Sequence, residues 1–134
     1  MDLEAPVKPQ TAYDMVGGSP IVRQIVDRFY DLLDAEPDYG ELRALHAADL
    51  DPMRSSLTGF LSAWLGGPND WFRERTGVCM MSAHRDVAIT PASAQQWANA
   101  MTRAIDETVA DKAIASKMGQ ALGNMAIGMS GMGR

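Results

Sequence analysis

An all-α fold is what this sequence predicts, and three observations carry the prediction. Apolar residues recur at three- and four-residue steps through several long segments. Three of those segments open on a small polar residue followed by proline, at Ser19-Pro20, Asp51-Pro52 and Thr90-Pro91. No segment alternates apolar and polar residues with the two-residue period of a half-buried strand.

The opening stretch "MDLEAPVKPQTA" lacks the basic start and apolar centre of a secretory leader, so residues 1–12 are expected to be a flexible tail. "SPIVRQIVDRFYDLLD" predicts the first long helix, with Ser19 at the N-cap and Pro20 at the first helical position. Its stripe is Ile21, Val22, Ile25, Val26, Phe29, Leu32 and Leu33. A short helical piece is expected around 40–46. "DPMRSSLTGFLSAWLGGP" predicts a second long helix capped by Asp51, with Met53, Leu57, Phe60, Leu61 and Trp64 on one face. Gly66-Gly67-Pro68 stops it. Another short piece is expected around 70–82. From Thr90, a third long helix carries Ala94, Trp97, Met101, Ile105 and Thr108 on one face. The last helix spans about 111–126 and runs into the Gly/Met-rich end, where 128–134 are expected to form a second tail. Residues 13–127 then make one domain.

Composition excludes several function classes. A chain of 134 residues with 46% apolar and 22% charged residues can bury a core without staples. No run approaches the ~18 apolar residues of a membrane span. A net charge of −5 with no basic patch argues against nucleic acid or an anionic membrane as partner. The single Cys79 cannot form an internal disulfide, and the cytoplasm is the expected location.

Three polar-tipped aromatic side chains stand out on apolar faces. Tyr30 falls between Val26 and Leu33 on the inward side of the first long helix, and a buried phenol must find a hydrogen-bond partner. Trp97 raises the same question for its indole N–H, and His46 follows "ELRAL" at a helix-to-loop junction. Two readings stand: a polar pocket inside the core, or three core residues satisfied independently. The second histidine, His84, has no ligand partner at metal-site spacing, and by itself it reads as an ordinary hydrogen-bonded histidine. Cys79 by itself reads as a small buried hydrophobe rather than a redox sensor.

The segments "YDMVGGSPIVRQIVDRFYDLL", "LRALHAADLDPMRSSLTGFLSAWLGGP", "SAHRDVAIT" and "QQWANAM" resemble, in order and spacing, the truncated haemoglobins of the second group. The resemblance runs from about Tyr13 to Asp106 and continues weakly to the end. "FLSAWLGGP" is its most specific motif, supported by Gly17-Gly18, Gly66-Gly67, the histidine 16 residues after Pro68 and the tryptophan 13 residues later. It implies a two-over-two helical sandwich around a haem b (iron protoporphyrin IX), non-covalently bound since no CxxCH is present. It also implies His84 as the proximal iron ligand, and a haem iron needs only one such imidazole, where zinc needs three or four ligands.

Carried across by position, the resemblance implies that Tyr30, Trp97 and His46 are the distal residues that stabilise a bound gas, with His46, at an aromatic position of the family, either a third donor or an aromatic plate at the haem edge. Phe29, Met53, Leu57, Phe60, Leu61 and Met101 would line the haem pocket. Met53 stands where ordinary globins carry the distal histidine and cannot donate. The flanks of His84 depart from the family, which has an arginine before the proximal histidine and Pro-Phe after it; here they are Ser82-Ala83 and Arg85-Asp86-Val87. Propionate pairing must then fall to another base, and Arg73, Arg75 and Arg85 are the candidates. Three functions follow: reversible binding of O2, NO, CO or another small haem ligand; NO dioxygenation or peroxide reduction driven by an external reductase; or a haem-free helical interaction module. Retention of His84, Tyr30 and Trp97 favours the first two, and ligand binding leads because these 134 residues hold no flavin reductase domain.

Overall fold

The computed structural model describes residues 10–74 and 89–130. All regular structure among them is helical: α1 (Ala12–Val16), α2 (Ser19–Ala35), a 3-10 turn (Pro37–Tyr39), α3 (Gly40–Ala44), α4 (Asp51–Trp64), α5 (Asp70–Glu74), α6 (Pro91–Thr108) and α7 (Lys112–Gly128). None of these helices is long and apolar enough to cross a membrane.

The long helices form where the apolar period placed them. Val22, Ile25, Val26, Phe29, Leu32 and Leu33 of α2 are buried, as are Leu57, Phe60 and Leu61 of α4 and Ala94, Met101 and Ile105 of α6. These faces meet in one core, with α2 packed against both α4 and α6, and α6 against α7. Gly123 brings α7 close to α6, where a Cβ would stand 3.4 Å from the Ala98 methyl.

Two helix starts differ from the expected ones. The N-cap of α2 is Gly18, not Ser19, because Gly18 adopts φ 74°, ψ −158°, a conformation open to glycine, and Pro20 moves to the second helical position. The N-cap of α4 is Leu50, and Asp51 is already helical; its N–H is accepted by Asp49 Oδ1 at 3.0 Å. At α6 the expected cap stands. Thr90 and Ser93 form a reciprocal capping box, the Ser93 N–H reaching Thr90 Oγ1 at 3.0 Å.

Helix α1 was not anticipated; Ala12, read as the end of the tail, is its first residue. Thr11 caps it by a capping box with Asp14. The two Gly-Gly pairs explain its placement. The Tyr13 N–H donates to the Leu65 carbonyl at 3.0 Å, just where α4 ends. The Tyr13 ring then lies against Gly67, where a Cβ would come within 2.5 Å of its Cγ, and near Gly18, 4.0 Å from where a Cβ would be. Gly66, at φ +92°, turns the chain out of α4. The glycine pairs thus seat α1 between the start of α2 and the end of α4.

Candidate functional site

The inward face of α2 delivers two adjacent aromatic rings to the core, Phe29 with no exposure and Tyr30 with 3%. The rings meet edge to face, centroids 4.9 Å apart. On one side Phe29 touches Trp97 of α6 at 5.4 Å. On the other, Tyr30 meets His46 edge to face at 5.8 Å. The three groups singled out in the sequence therefore come together in one row, Trp97–Phe29–Tyr30–His46, with Phe29 as the spacer. Met101 follows Trp97 by one turn and is fully buried; Leu57, Phe60 and Leu61 of α4 are buried in the same core.

Burial sets the chemistry of Tyr30. Desolvation of the phenolate pushes its pKa from 10.0 up to about 12, against an opposing pull from the Arg54 charge. The phenol is therefore a protonated donor throughout the physiological range. His46 Nδ1 lies 3.0 Å from the Leu42 carbonyl, which can only accept, so Nδ1 carries the proton of this bond. In the neutral imidazole that leaves Nε2 as an acceptor. The loop bearing His46 is held by Arg43, which donates to the Ala47 and Ala48 carbonyls at 2.9 and 3.0 Å. The Leu42 N–H is accepted by Gln96 Oε1 of α6 at 3.0 Å, one residue before Trp97.

Sequence reading missed Arg54. It rises from α4 to the face of α2, donating to Asp27 Oδ1 at 3.0 Å, the Asp27 carbonyl at 3.1 Å and Asp31 Oδ1 at 2.9 Å. Its guanidinium carbon stands 5.7 Å from the centre of the Tyr30 ring. The available signal was two carboxylates four residues apart flanking Tyr30, a spacing that presents both to one incoming cation.

Met53 heads the apolar face of α4 and is 38% exposed. Phe72 of α5, also 38% exposed, lies tilted against Phe60 with centroids 5.9 Å apart, beside Trp71. These surface-facing apolar groups extend the buried wall of α4, which shares its core with Phe29 and Tyr30, and are chemically suited to an apolar planar macrocycle. Arg73 is exposed and pairs with Asp70. His84, Arg75, Arg85 and Cys79 lie outside the described residues. An open polar groove of about 660 Å³ between α6 and α7 involves none of the row, and its bases are paired, Arg103 with Glu36 and Glu107, Lys112 with Asp106.

The profile of the bacterial-like globin family matches residues 11–130, nearly the whole chain. The chain belongs to the bacterial-like globin family. Its similarities lie with truncated hemoglobins. The group 2 truncated hemoglobin YjbI of Bacillus subtilis (strain 168) is 28% identical over 89 residues, 66% of this chain and 65% of that protein's length. Among solved structures, the group II 2-on-2 hemoglobin of Agrobacterium tumefaciens superposes with a TM-score of 0.89 at 27% identity, covering 96% of this chain and 99% of its own. The hemoglobin of Chloroflexus aurantiacus gives 0.81 at 30% identity over 91% and 98%. The group II truncated hemoglobin of Bacillus anthracis gives 0.83 at 28% over 94% and 95%. The fold is that of a two-over-two truncated globin, as the sequence resemblance implied. Globin membership implies a haem, its iron and a small diatomic ligand.

Proposed function

We propose that this globin binds O2 and other diatomic gases reversibly at the iron of a haem b, with His84 as proximal ligand and Tyr30 and Trp97 as distal donors. The observation that carries the reading is the row Trp97–Phe29–Tyr30–His46, which sets a buried phenol and an indole against an apolar wall. When bound, the haem supplies an iron with one face open to a gas. The chain's own residues supply the rest. Tyr30, protonated up to about pH 12, and Trp97, whose indole N–H only donates, offer hydrogen bonds to a ligand carrying partial negative charge. Phe29, Leu57, Phe60, Leu61 and Met101 exclude water, which strengthens any hydrogen bond made there. Met53 contributes apolar surface and no donor. His46, held through Nδ1 on the Leu42 carbonyl, sets its ring edge to face against Tyr30 and completes the distal row. Arg73, Arg75 and Arg85 are the candidate bases for the propionates.

The absorption spectrum of the purified protein, ferrous with and without CO, tests this directly. A histidine-ligated ferrous haem whose Soret band moves on CO addition is expected, at about one acid–ketone-extractable haem per chain. A colourless helical protein from haem-supplemented expression would refute it.

A further inference from the structure

We propose that Arg54 is a positioning residue for Tyr30, holding its ring and polarising its O–H so that Tyr30 becomes a stronger hydrogen-bond donor. This inference rests on the distal role given to Tyr30 above.

The geometry has three parts. The Arg54 side chain is only 16% exposed, although it is a cation on the flank of α4. It is fixed by both carboxylates of the i, i+4 pair that brackets Tyr30 on α2, Asp27 at 3.0 Å and Asp31 at 2.9 Å, and by the Asp27 carbonyl. A planar guanidinium tied at these points cannot wander, so its position over the Tyr30 ring, 5.7 Å from the centroid, is imposed by the salt bridges. Lysine, a point charge on a flexible stem, could not be held this way.

A cation at the face of a phenol ring draws electron density from it and makes the O–H more acidic. This is consistent with Arg54 opposing the upward pull of burial on Tyr30. The groups facing the ring from neighbouring elements are Phe29 on its own helix, His46 after α3, and Arg54 on α4. Among these groups Arg54 has the permanent positive charge. The Asp27 and Asp31 carboxylates balance that charge at the surface, and Arg23, 3.2 Å from Asp27, in turn offsets part of the Asp27 charge. The guanidinium remains the group in contact with the ring.

The test uses the purified haem-loaded protein labelled with 13Cζ-tyrosine. Three tyrosines give three resonances, and Tyr30→Phe identifies one of them. Arg54→Met should shift the Tyr30 resonance and leave those of Tyr13 and Tyr39 in place, while Arg54→Lys should give a partial shift. In stopped flow, Arg54→Met should speed O2 release by about three- to tenfold, the range a partly desolvated cation–π contact gives at 1.4 kcal/mol per decade. In a Tyr30→Phe background, Arg54→Met should add less than about twofold.

An unmoved Tyr30 resonance in Arg54→Met overturns the proposal. So does an equal acceleration with and without the Tyr30 hydroxyl, because Arg54 would then act only on helix packing. If Arg54→Met does not fold, Asp31→Asn, which loosens the guanidinium from an exposed position, should produce the same shifts in the same direction; an unmoved Tyr30 resonance in Asp31→Asn then overturns the proposal. If wild-type protein binds no O2, the distal reading fails separately, and the carbon resonance still decides whether Arg54 polarises Tyr30.

Discussion

Replacing Gly67 by alanine isolates one steric contact that seats α1. The added Cβ would lie 2.5, 2.6 and 2.8 Å from Cγ, Cδ1 and Cδ2 of Tyr13. Ordinary contact begins near 3.4 Å, so the near end of the ring must retreat by about 1 Å. The Tyr13 N–H is bonded to the Leu65 carbonyl two residues before Gly67, so the ring cannot retreat without disturbing that bond or swinging outward. Gly67 is not among the glycines with positive φ, so alanine there brings no backbone strain and the whole cost is the clash. Forcing extra volume into a packed contact costs about 1–3 kcal/mol, which at this chain length lowers Tm by roughly 3–10 °C. Urea denaturation of wild type, Gly67→Ala, Tyr13→Ala and the double variant reads the coupling. In the Tyr13→Ala background the cost of Gly67→Ala should fall within about 0.5 kcal/mol of zero. Gly66→Ala is the control: at φ +92° it should lose about 1–2 kcal/mol in either background. An equal cost of Gly67→Ala with and without the Tyr13 ring would refute the seating argument.

Further outcomes follow from the site. Tyr30 keeps its proton in the folded state to about pH 12, whereas an unfolded chain releases it near 10.0, so folding stability should fall as pH rises through that window. The rise corresponds to roughly 3 kcal/mol, and Tyr30→Phe should flatten this part of the urea-midpoint profile between pH 9 and 12. Tyr30→Phe and Trp97→Phe should each speed O2 release by roughly ten- to a hundredfold, since a hydrogen bond to a charged acceptor is worth about 1.5–3 kcal/mol, while CO release changes much less. Equal effects on both gases would point to altered access instead. His84→Gly should abolish the ferrous Fe–histidine stretch while the far-ultraviolet dichroism stays helical, and added imidazole should restore it. Persistence of that band in the variant would assign the iron to another residue.

Helix by helix, the sequence determined most of this architecture, because a helix is encoded within itself. The three- and four-residue steps of α2, α4 and α6 select their buried faces, and Thr90 reaches its capping partner within one turn. Errors of one residue at Ser19 and Asp51 arose where backbone conformation chose the cap: the dihedrals of Gly18, and the Asp49 carboxylate reaching the Asp51 N–H. The short α1 was illegible because five residues carry no period, and its placement depends on a glycine 50 or more positions away accepting the Tyr13 ring. The polar aromatics were visible as candidates, yet their union was not. Phe29 joins Tyr30 to Trp97, and His46 joins them from a loop held by Arg43. Arg54 reads as a solvated charge on an amphipathic helix until α4 is laid across α2 and the Asp27 and Asp31 carboxylates close on it. Local propensity acts through neighbours a turn apart and can be read from a string. A row of rings and a caged guanidinium exist only once separate helices have fixed their distances and crossing, and tertiary packing decided that.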